Sequence, residues 1–137
     1  MWILFAFGSA LFAGLTSVLA KCGIKKTDSD AATAIRTIVV LIFSWLMVWI
    51  VGSAPTITGL SAKTWIFLIL SGIATGASWL CYYKALQDGL ASVVVPIDKL
   101  SILVSIGFSA LVFKERLSKK AAAGLVLIVG GTLMMLI

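Results

Sequence analysis

Eleven basic and five acidic residues occur among 137. Three of them, Arg36, Asp98 and Lys99, lie inside long apolar runs. An ionisable group near the centre of a membrane span costs roughly 2.5–3.5 kcal/mol on insertion scales, so it is kept where it faces protein or water. Asp98 and Lys99 are sequence neighbours and point about 100° apart on a helix. They are therefore not expected to satisfy each other. Arg36 is the cation expected to pair with Asp98 within one protomer, which leaves Lys99 to attract an anionic group. Trp79 and Tyr83 are four residues apart and share a helix face. They form either an aromatic wall for an amino-group-bearing ligand, by cation–π contact, or anchors at the membrane interface. Together these five residues are the expected binding set for a small carboxylate-bearing, phosphate-bearing or zwitterionic molecule.

The elements that hold these residues follow from composition. Hydrophobic residues make up 61% of the chain and charged residues 12%, with a mean hydropathy of +1.17. Soluble domains are about 45–50% apolar and about 25% charged. This balance excludes a secreted disulfide scaffold, a nucleic-acid-binding domain and most soluble enzymes, despite the net charge of +6. A membrane helix needs roughly 20 apolar residues, with a range of about 17–25. Five such runs are present, over residues 2–20, 31–51, 64–83, 90–113 and 121–137. The runs are continuous and do not alternate, which excludes a barrel. Short connections predict one all-α, polytopic membrane domain over residues 1–137. No basic n-region precedes Trp2, so the first run reads as a true span and not a signal peptide.

No Ser/His/Asp set, paired carboxylates or phosphate-cradling glycine loop occurs. Cys22 and Cys81 are too far apart in sequence for a metal-ligand pattern. The sequence therefore points away from catalysis, and no metal or cofactor is expected.

Five spans would place the termini on opposite sides of the membrane. One side then carries Lys63, Lys114, Arg116, Lys119 and Lys120. The other carries Lys21, Lys25, Lys26 and Lys84, with Arg36 a little inside. Lysine and arginine bias sets orientation, and five against four or five gives almost none. Insertion in both orientations is the expectation; the alternative is a narrow majority for one.

The polar residues converge on one half of the bilayer. Arg36 lies roughly 8 Å into the second run, and Asp98 and Lys99 roughly 12–14 Å into the fourth. Thr16, Ser17 and Lys21 end the first run, and Trp79, Tyr82, Tyr83 and Lys84 end the third, on that same side. This is the pattern of a water-filled vestibule; the simpler reading is one interhelical ion pair. Pro96 frees a backbone carbonyl beside Asp98 and Lys99, either to line a cavity or merely to kink the helix. Gly72 and Gly76, with Ser71, Thr75 and Ser78 beside them, permit close helix approach. Gly124 and Gly131, seven apart on a run without charge, suit a seam with another span or another copy.

Four stretches carry a family resemblance. They are Ala32-Thr-Ala-Ile-Arg36-Thr37, then Gly72-Ile-Ala-Thr-Gly76-Ala-Ser-Trp79-Leu-Cys-Tyr-Tyr83-Lys84-Ala-Leu86, then Ala91-Ser-Val-Val-Val-Pro96-Ile-Asp98-Lys99-Leu100, then Phe113-Lys-Glu115-Arg-Leu117. In this order they resemble a single EamA-type unit of the drug/metabolite transporter superfamily. The resemblance implies a secondary transporter in the cell (inner) membrane, working by alternating access. Larger relatives join two five-span units in inverted orientation, so this chain is expected to pair with an inverted copy of itself as an antiparallel homodimer of ten helices. Small multidrug resistance proteins are more distant. They use a glutamate in the first helix to bind drug cations, and the first span here has no acidic residue. Their dimer seam has glycines seven apart, similar to Gly124 and Gly131. The competing readings are a structural or accessory membrane subunit, and a multidrug or lipid-carrier transporter. The expected partners are a small-molecule substrate, the lipid bilayer and a second copy, with no nucleic acid.

Overall fold

The computed structural model describes residues 1–114 and 116–137. Every regular element among them is a helix: α1 (Trp2–Ile24), α2 (Ser29–Val51), α3 (Ala54–Thr58), α4 (Ala62–Asp88), α5 (Ala91–Asp98), α6 (Ser101–Val112) and α7 (Lys119–Met134). Glu115, in the last of the family-like stretches, lies outside the described residues.

Helix ends follow local chemistry. Asp28 caps α2 by accepting from the amides of Asp30 (3.2 Å) and Ala31 (3.4 Å), as an N-terminal carboxylate should. The end of α2 is a Schellman turn: Gly52 takes φ 72°, its amide donates to Trp49 O, and the Ser53 amide donates to Val48 O. A left-handed residue there suits glycine, which has no Cβ to clash. The Ser118 hydroxyl accepts from the Ala121 amide at 3.1 Å and starts α7.

Four helical stretches are long and apolar enough to cross a membrane: Trp2–Ile24, Ser29–Val51, Ala62–Asp88 and Ala91–Val112. The fifth apolar run forms α7, which has 16 residues. That is about 24 Å of helix, short of a hydrocarbon core of about 30 Å. Of the five expected crossings, four reach crossing length as helices among the described residues. The fourth crossing stretch is also not one helix. It breaks at Lys99 and Leu100, between α5 and α6. Pro96 offers no amide to the carbonyl one turn before it. Beyond it the ladder tightens: Leu100 N donates to Ile97 O (2.9 Å) and Leu103 N to Leu100 O (2.9 Å).

The chain divides into two compact units. The first comprises Met1–Ser17 and Asp88–Ile137, in which α5 packs against α7. The second is Val18–Gln87, holding the end of α1, α2, α3 and nearly all of α4. Its buried apolar side chains are Ile24, Tyr83 and Leu86, joined by Ser29 and Thr33. They gather where α1 and α4 end and α2 begins. Two polar ties fix that junction: Lys21 Nζ donates to Leu86 O, and Gln87 Nε2 donates to Thr27 O at 3.0 Å. Elsewhere the surface is apolar, including Ile42, Phe43, Ile50, Ile66 and Phe67. Lipid replaces water on such a surface, so its exposure carries no hydrophobic penalty and packing alone drives helix contact.

Candidate functional site

The second unit places Arg36, Trp79 and Tyr83 together. Arg36 lies seven residues past the first residue of α2, about 10 Å along the helix. Trp79 lies nine residues before the last of α4, about 13 Å from that end. Because α2 begins where α4 ends, the two depths coincide. The Arg36 guanidinium carbon sits 3.3 Å from the Trp79 ring centroid and 5.7 Å from that of Tyr83. Contacts of this kind are worth about 2 kcal/mol or more when desolvated. Tyr83 is buried, and Tyr82 meets its ring edge-on at 6.3 Å between centroids.

The hydroxyls flanking Arg36, one a turn before it and one on the next residue, are turned back on their own helix. Thr33 Oγ1 donates to Ser29 O at 2.8 Å, and Thr37 Oγ1 to Thr33 O at 2.7 Å. Arg36 Nη1 is buried and meets no acceptor among the described residues. The cluster is a cation whose flat face is covered and whose nitrogen edge keeps an unused donor.

At the rim of the same unit, Lys21, Ile24, Lys25, Leu86 and Gln87 line a cavity of about 200 Å³. Lys84 Nζ lies 3.4 Å from Gln87 Oε1. The Leu86 and Thr27 carbonyls and Gln87 were not legible as parts of this junction. The available signal is an amide side chain, Gln87, immediately past an apolar run.

Asp98 and Lys99 belong to the first unit. Contrary to the expectation from their angular separation, Lys99 Nζ lies 3.5 Å from Asp98 Oδ2. The physical reason is twofold. Lysine has a flexible four-carbon stem, and the helix breaks at Lys99, so regular spacing no longer governs. Their side chains are 56% and 36% exposed respectively, so neither is strongly desolvated by the protein. Lys99 is therefore not the cation left over, and Asp98 has a partner beside it. The expectation that a ligand amine rests on Trp79 also changes, because the protein's own guanidinium covers that ring. Arg36 and Asp98, expected as an ion pair, fall in different units.

Gly72, Gly76, Gly124 and Gly131 have open surroundings: a Cβ added at any of them would meet nothing within 4 Å. No helix among the described residues approaches closely there.

Comparison with known proteins adds the following. Residues 1–137 match the EamA-like transporter family. The chain is 42% identical over 134 residues to an uncharacterized transporter in the cobO 3′ region of Sinorhizobium sp, covering 98% of this chain and 95% of that protein. It is 30% identical over 103 residues to an uncharacterized protein of Methanocaldococcus jannaschii, covering 69% of this chain and 75% of that one. No solved structure matches.

Proposed function

This chain belongs to the EamA-like transporter family, and from that premise we propose that it is a secondary transporter of a small polar metabolite, anionic or zwitterionic and amino-acid-like in size. The observation that carries the reading is Arg36 against Trp79 at matched depth in two membrane-crossing helices. A charge in such a position is costly and marks a substrate or ion path. In the second unit Arg36, Trp79 and Tyr83 are the proposed substrate-binding residues; in the first, Asp98 and Lys99 at the helix break are polar groups suited to substrate or coupling charge. Broken helices with exposed backbone recur at transporter binding sites.

The working unit in this proposal is an antiparallel homodimer in the cell (inner) membrane, alternating its access from side to side. The run at 121–137, helical as far as Met134, is the fifth crossing in this proposal, a short one whose mismatch the bilayer takes up by local thinning. The nearly even lysine and arginine tally supports insertion in both orientations. Gly72, Gly76, Gly124 and Gly131, open in the single chain, are available to a second copy. A competing reading draws on the same contact: Arg36 ties α2 to α4, so the chain is an accessory subunit with the cation as a clamp.

Thermal stabilisation of the purified protein, screened over amino acids, monocarboxylates, sugar phosphates and organic cations, selects ligands. Counterflow of those ligands in proteoliposomes then tests transport. Stabilisation and flux by the same compound support the proposal; a folded protein that moves none of them supports the clamp. A topology reporter fused to the C-terminus should give signal on both sides of the membrane, and signal on one side alone refutes dual insertion.

A further inference from the structure

We propose that the nitrogen edge of Arg36 is the receptor for a substrate carboxylate, and that Trp79 and Tyr83 brace the guanidinium instead of holding an organic cation. The inference rests on the transporter reading and names the chemical class that its site takes.

A guanidinium has two kinds of surface. Its flat face carries no donors and stacks on aromatic rings, while its five N–H groups lie in the plane and point outward. At 3.3 Å from the Trp79 centroid, the face is used. The edge is not fully used, because Nη1 is buried without an acceptor among the described residues. The nearby hydroxyls of Thr33 and Thr37 donate to backbone carbonyls of α2. A buried unpaired donor is costly, and it is most strongly satisfied by an anion that accepts two parallel N–H bonds.

Charge narrows the class. The charge laid against the Trp79 and Tyr83 rings is that of Arg36. A monoanion balances it. A dianion would leave one charge uncompensated in a medium where charge interactions are poorly screened. The geometry therefore favours a monocarboxylate, or the carboxylate end of a zwitterion, over a phosphate dianion. An organic cation meets a ring already covered by a like charge.

The test uses the full-length protein in detergent, with L-alanine, L-lactate, benzoate, inorganic phosphate and tetraphenylphosphonium as probes. Ligand-dependent shifts in Tm give apparent affinities for wild type, Arg36→Lys, Arg36→Gln, Trp79→Phe and Lys63→Gln. The expected result is carboxylate-dependent stabilisation that weakens roughly tenfold or more in both Arg36 variants, because lysine keeps the charge but loses the fork. Lys63→Gln, an exposed cation at the opposite end of α4, should stay within about threefold, and Trp79→Phe should weaken binding less than either Arg36 variant, since phenylalanine still offers a ring face. If Arg36→Gln does not fold, Arg36→Lys against Lys63→Gln still decides the matter.

Three results overturn the assignment: no carboxylate stabilises wild type, Arg36→Lys binds carboxylates as wild type does, or tetraphenylphosphonium binds more tightly than the carboxylates and Arg36→Gln leaves that binding intact. Counterflow separates this failure from failure of the transporter reading. Carboxylate binding without flux keeps the receptor and removes the transporter. Carboxylate flux undiminished in Arg36→Lys keeps the transporter and removes the receptor.

Discussion

Both units hold a cation within a membrane-crossing stretch, and they accommodate it by different means. In the second unit, Arg36 lies between regular helices and is covered by aromatic rings on another helix. In the first, Lys99 sits at an interruption between α5 and α6 and meets the carboxylate of its own neighbour. Aromatic cover takes the face of a cation and leaves its hydrogen-bonding edge unspent. A neighbouring carboxylate takes the charge itself. The first arrangement leaves a donor without an acceptor among the described residues; the second is largely self-contained. The difference also lies in what each contact joins. Arg36 connects α2 to α4 and helps define the second unit, while the Asp98–Lys99 contact is local and joins no two helices.

This contrast can be broken at several points. The largest effect is expected from Trp79→Ala, which removes the ring under Arg36 and should cost about 3 kcal/mol of stability in detergent. A loss below about 1 kcal/mol, read by thermal or chemical denaturation, would mean that the ring does not hold the cation. Arg36→Lys keeps the charge with poorer stacking and should cost about 1 kcal/mol. Equal stability of Arg36→Lys and wild type would argue that a point charge is all the second unit needs. Asp98→Asn should cost less than about 1 kcal/mol, because the pair it breaks is exposed and local. A larger loss would show that Asp98 serves another partner. Last is the coupling between Arg36→Met and Asp98→Met in a double-mutant cycle, which stays within about 0.5 kcal/mol if the two side chains do not touch. Coupling of about 2 kcal/mol or more would support the direct ion pair expected from the sequence.

Much of the architecture was legible because the bilayer imposes a length. Apolar runs bounded by lysines or turn residues marked the four crossing stretches to within a few residues. The run at 121–137 was long enough by composition, but α7 begins at the capping Ser118 and ends at Met134, so helix and apolar run do not coincide. Pro96 pointed to a disturbed helix; the break falls three residues later, past the turn that Pro96 leaves short of an amide, where the hydrogen bonds tighten to three-residue spacing. The site residues Arg36, Trp79 and Tyr83 were each visible as types and spacings. Their mutual contact was not, since pairing was assigned by charge and an aromatic face carries none. Matching the depth of Arg36 from the start of α2 to that of Trp79 from the end of α4 would have found it. The Lys99 contact was missed because the helical angle was applied to a residue where the helix stops.

The interruption at Lys99 and Leu100 also has a mechanical side. It turns one stretch of chain into two rods, of eight and twelve residues, or about 12 Å and 18 Å. A bend of about 10° at such a joint swings the far tip of the longer rod by about 3 Å, by simple lever geometry on the helix rise. Since the joint itself carries the Asp98–Lys99 pair, the charge sits near the fulcrum, where motion is least. The tip of α6 sweeps farthest while carrying none of its own charge.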